Sequence, residues 1–127
     1  MKNNKFDLDL KYGQEREQMV ASLLNTDKTK VEIKTERDWW QKTGNIAIEV
    51  ECNNKPSGLS VTKANYWFHI LAKGKTNVSM LMFEVPKLKK IFKKFNKPEY
   101  TRMIGDRKAS KCVLIPLTEL MTELRYL

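Results

Sequence analysis

A glutamate and a lysine two positions apart, Glu32 and Lys34, lie in a run, VEIKTER (31–37), that alternates apolar and charged side chains. A strand sends successive side chains to opposite faces, so this pair shares a face while Val31 and Ile33 turn toward a core. Hydrolysis of a phosphodiester needs an activated water and neutralised charge on phosphorus. Glu32 and the Ile33 carbonyl offer hard oxygens to Mg²⁺, and Lys34 can orient the water or shield developing charge. Asp27, just upstream, is the natural second carboxylate, and Glu17 and Glu49 can complete the shell. Glu49 belongs to a second alternating run, NIAIEVEC (45–52), where Ile46, Ile48 and Val50 interleave with Glu49 and Glu51. Pairing of the two runs would set Glu49 beside Glu32. The same E-x-K spacing also arises on any solvated strand face, so the tripeptide alone identifies nothing.

These residues need a frame. QEREQMVASLL (14–24) places Met19, Val20, Leu23 and Leu24 at helical spacing, with Glu15 and Glu17 in its first turn, and predicts a helix ending near Asn25. NTDKTK then turns the chain into the first strand, and NNKPSG (53–58) reads as a turn after the second. Residues 60–65 suit a short helical turn, and YWFHILA (66–72) and VSMLMFEV (78–85) read as buried strands. Pro86 opens a helix, LKKIFKKF, with Leu88, Ile91, Phe92 and Phe95 facing inwards. Residues 96–110 read as irregular, 111–116 as a last strand and 117–127 as a closing amphipathic helix. The order predicts one domain over residues 1–127, an α/β fold with a central mixed β-sheet flanked by helices.

Composition narrows the partners. A chain of 127 residues with 41% hydrophobic and 31% charged side chains is that of a globular protein with a real core. Residues 86–111 hold ten Lys or Arg against two acids, nearly all of the net charge of +9. Such a local excess suits a polyanion, nucleic acid first, and equally a solvated lysine-rich face. Lys87, Lys90, Lys93, Lys94, Lys97, Arg102, Arg107 and Lys108 are the candidates for DNA phosphate contacts. No apolar run reaches the roughly 20 residues a bilayer requires, and the start lacks an apolar export core, so a cytoplasmic location without membrane contact is expected.

Cys52 and Cys112 lack metal-ligand spacing and suit reduced, buried thiols. His69, in an apolar run, suits a satisfied core histidine better than a base, and Met80 and Met82 read as core filling. Trp39, Trp40, Tyr66 and Trp67 could stack on nucleobases, or be buried under the sheet or at a dimer contact.

Taken together, GQERE (13–17), VEIKTER (31–37), KTGNIAIEVE (42–51) and KPSGLSVTKANYW (55–67) resemble the PD-(D/E)XK nuclease superfamily, more narrowly its small phage-type homing endonucleases and Holliday junction resolvases. The likeness spans about the first half of the chain, with LIPL (114–117) as weaker support. It implies a restriction-endonuclease-like core, Glu17 as the first-helix acid and Glu32 with Lys34 as the E-x-K pair. No Pro-Asp dipeptide is present, and Asp27 precedes Glu32 by only five residues, so Glu49 or Asp38 stands in if the turn does not return Asp27. The expectation is a Mg²⁺-dependent DNA endonuclease, with Mn²⁺ as a substitute metal. Glu32, Asp27 and Glu17 would be its ligands, and a homodimer or higher oligomer would cut both strands. The rival is a non-catalytic, basic nucleic-acid-binding protein.

Overall fold

The alternation of Ile46, Ile48 and Val50 builds the strand on which the core is laid, β2 (Asn45–Cys52), and all three are buried. The computed structural model describes residues 4–25 and 30–127. β7 (Ser110–Pro116) runs antiparallel to β2, setting Ile46 opposite Ile115 and Ile48 opposite Val113. β3 (Lys55–Pro56) and β6 (Thr101–Ile104) close the edges of a four-stranded antiparallel sheet of order β3-β2-β7-β6.

A second sheet has the order β1-β4-β5. In it β1 (Val31–Arg37) is parallel to β4 (Tyr66–Lys73), and β4 is antiparallel to β5 (Thr76–Glu84). The α/β class holds, but the single central mixed sheet is replaced by two sheets, one mixed and one antiparallel. The 31–37 and 45–52 runs are divided between them and do not pair.

Helix α3 (Val85–Phe95) starts with Pro86 in its first turn, where a missing N–H costs nothing, and stops at Asn96 just before Lys97-Pro98. Val85, Leu88, Ile91 and Phe95 are its buried side. They join Ile46, Ile48, Trp67, Val113 and Ile115 in one core, to which α4 (Leu117–Leu124) adds Leu120.

Other expectations shift. The first helix, α1, spans Asn4–Leu23, starting well before Gly13 and running through it. Gly13 costs such a helix about 1 kcal/mol, which the good helix formers around it offset. Of the expected stripe only Leu23 is buried; Met19, Val20 and Leu24 are exposed. The polar connection after β1 contains a short helix, α2 (Trp39–Thr43), closed by Gly44 at φ 75° with its N–H on the Trp40 carbonyl. β5 is not a buried strand: Val78, Met80 and Met82 are exposed and Phe83 is buried, because β5 is an edge strand with one face uncovered. The two methionines are therefore not core filling. β6 crosses a stretch expected to be irregular, and the turn at Gly58–Ser60 is a short 3₁₀ segment. No helix among the described residues is long and apolar enough to cross a membrane.

Candidate active site

From Glu32 onward the two faces of β1 are the reverse of the expected ones, while Val31 is half-buried. Ile33 is 59% exposed, whereas Glu32, Lys34 and Glu36 are half-buried. Register explains the inversion. The parallel ladder sets Glu32 against Trp67, Lys34 against His69 and Glu36 against Leu71, and those three β4 side chains point into the core. Neighbours in register share a face, so the charged set is carried inwards with them.

Glu32 and Lys34 form an ion pair at 3.8 Å, and the Lys34 ammonium lies 6.0 Å from the centroid of the buried Trp67 ring. The carboxylate and amine expected to share a face do so, at the rim of the mixed sheet and not on an open solvent face.

Further along the same face is a tighter knot. The Trp67 indole N–H donates to His69 Nδ1 at 3.1 Å, which makes that nitrogen an acceptor and leaves the ring proton on Nε2. Nε2 in turn meets Glu36 Oε1 at 2.6 Å. The Ala47 amide of the other sheet donates to the same oxygen. His69 is 1% exposed and fully partnered, a satisfied core histidine as expected. Glu36 is the residue that sequence reasoning passed over. The period-two continuation Glu32-x-Lys34-x-Glu36 was its only signal.

Glu49 is held by the KPSG turn. Ser57 Oγ donates to Glu49 Oε2 at 2.9 Å, and the Ser57 amide bonds the Val50 carbonyl at 2.9 Å. Gly58 sits at φ 52°, and a Cβ there would lie 2.1 Å from the Glu49 carbonyl oxygen, so only glycine fits. Opposite Glu49 on β7, burial pushes the Cys112 thiol up to about 11, with the charges of Glu49 and Glu36 adding to the effect.

The expected acids are thus dispersed. Glu17 is exposed on α1, and Asp27 lies outside the described residues. Asp38, with φ 63°, accepts the Gly74 amide at 2.9 Å and shapes a turn. Glu49 is not beside Glu32, because β2 pairs with β3 and β7 while β1 pairs with β4. No group of three or more His, Cys, Asp or Glu placed to hold a metal is found among the described residues.

The basic candidates are all on the surface: Lys87, Lys90, Lys93, Lys94, Lys97, Arg102, Arg107 and Lys108 are exposed. Lys87 pairs with Glu84 and Lys94 with Glu123. Trp39 is 68% exposed, whereas Trp40 is half-buried and donates to the Ala72 carbonyl at 2.8 Å. Cys52 and Cys112 are free thiols. No protein-family model, curated protein or solved structure matches this chain.

Proposed function

We propose that the protein is a metal-dependent DNA endonuclease of the PD-(D/E)XK type, of the homing or junction-resolving kind, acting as a homodimer or higher oligomer. The reading is carried by one observation: Glu32 and Lys34 sit 3.8 Å apart, half-buried, on one face of β1. Mg²⁺ keeps several waters and needs only one or two protein carboxylates beside the substrate's phosphate oxygens, so the hard oxygens of Glu32 fit it without a full protein cage. Asp27 and Glu17 are the proposed further ligands, and Mn²⁺ could substitute. When bound, the metal neutralises phosphate charge and activates water. Glu32 would hold the ion, and Lys34, steadied over the Trp67 ring, would orient the water and shield charge on the phosphorus. The lysines of α3 would hold the DNA backbone.

Incubation with supercoiled, linear and four-way-junction DNA, with and without Mg²⁺, tests this. Glu32→Ala should lose cleavage by about 10²-fold or more while DNA binding persists. A wild-type protein that binds but never cuts would instead be the basic binding protein that the exposed lysines of α3 also allow.

A further inference from the structure

A cavity of about 450 Å³ opens where the end of β1, α2, β2 and β6 meet, lined by Glu36, Arg37, Trp39, Asn45, Met103 and Leu114 among others. That is ample for a small planar ligand. Glu36 enters it with half of its carboxylate already committed. Oε1 takes both the His69 ring N–H and the Ala47 amide, and Oε2 has no hydrogen-bond partner among the described residues. No fully buried polar side-chain atom among the described residues lacks a partner, so Oε2 reaches solvent, and Glu36 is one of the residues lining the cavity. Trp39 is another lining residue, its indole exposed and the Lys42 ammonium 5.1 Å from its ring centroid.

The lining therefore combines an exposed aromatic ring, apolar walls, the Arg37 cation and a carboxylate held through one oxygen, with the Lys42 cation beside Trp39. A cationic ligand would meet Arg37 and Lys42; a planar, uncharged ring tethered to phosphate would not be opposed. We infer that this cavity takes a single unstacked nucleobase bearing an exocyclic amino group, stacked on Trp39 and donating to Glu36 Oε2. The inference rests on the nucleic-acid reading above and adds a base preference to it. Cytosine presents an amino group to the carboxylate, where uracil presents a carbonyl oxygen that it repels.

The test uses the full chain without divalent cation, and fluorescence anisotropy of labelled oligo-dC and oligo-dU of equal length. The wild type should prefer oligo-dC by about tenfold. Glu36→Gln keeps an oxygen for Ala47 and His69 and turns an amide NH₂ into the cavity, so the preference should fall to parity or invert. Trp39→Ala, at an exposed position, should weaken both oligomers by about tenfold without touching the fold. Salt-sensitive DNA binding that shows no dC preference, or a preference unchanged in Glu36→Gln, overturns the cavity assignment alone. No salt-sensitive affinity for any DNA overturns the nucleic-acid reading with it.

Discussion

β1 and β2 carry the same written alternation of aliphatic and charged residues and fold it in opposite senses. In β2 the aliphatics Ile46, Ile48 and Val50 are buried and Glu49 lies on the other face. In β1 the aliphatic Ile33 is exposed while Glu32, Lys34 and Glu36 are half-buried. A period of two separates side chains into two sets, but the neighbouring strand decides which set goes inside. β2 lies beside Val113 and Ile115, which pull its aliphatics in. β1 lies beside Trp67 and His69; Trp67 fixes the imidazole, and the His69 Nε2 gives Glu36 something to bond.

The contrast can be broken by substitution. Ile48→Ala should cost about 2–5 kcal/mol in urea unfolding, since Ile48 is fully buried. Ile33→Ala, the matching change in β1, should stay within about 0.5 kcal/mol. Equal losses at the two positions would mean the outer face of β1 is covered. Next in size, Gly58→Ala should cost about 2 kcal/mol, through a strained φ and a clash with the Glu49 carbonyl. It should also loosen Glu49 while leaving the Glu32–Lys34 pair intact, which separates the acids of the two strands in the cleavage assay proposed above.

The last effect is one of pH and concerns Cys112. Its thiol stays protonated in the folded chain up to about 11, against 9.0 for an ordinary thiol, so the folded state holds a proton the unfolded chain loses. Its stabilising contribution is complete below about 9 and declines as pH rises from there toward 11. Cys112→Ala should flatten that decline in pH-dependent denaturation curves. At pH 8 a thiol reagent should react with half-buried Cys52 well before buried Cys112.

What could be read from residues alone follows the same division. The helix at 85–95, the strands at 45–52, 66–73 and 110–116, and the buried histidine were legible because apolar spacing and Pro86 speak locally. The split into two sheets was not, since it depends on β1 choosing β4 across more than thirty residues of chain. Local spacing carries no information about that choice. The same gap hid Glu36, whose role arises only once His69 and Ala47 approach it from different strands. The Glu32–Lys34 pair was legible because both members belong to one strand; the surrounding acids, spread over separate elements, were not.

Glu36 Oε1 receives one donor from each sheet, the imidazole from the mixed sheet and the Ala47 amide from the antiparallel one. Where β1 and β2 run without a shared ladder, that oxygen is a rivet through the seam. Anything that pulls on the other half of the carboxylate also changes how firmly the two halves are fastened. Solvent exchange at the Ala47 amide is where that tension would register.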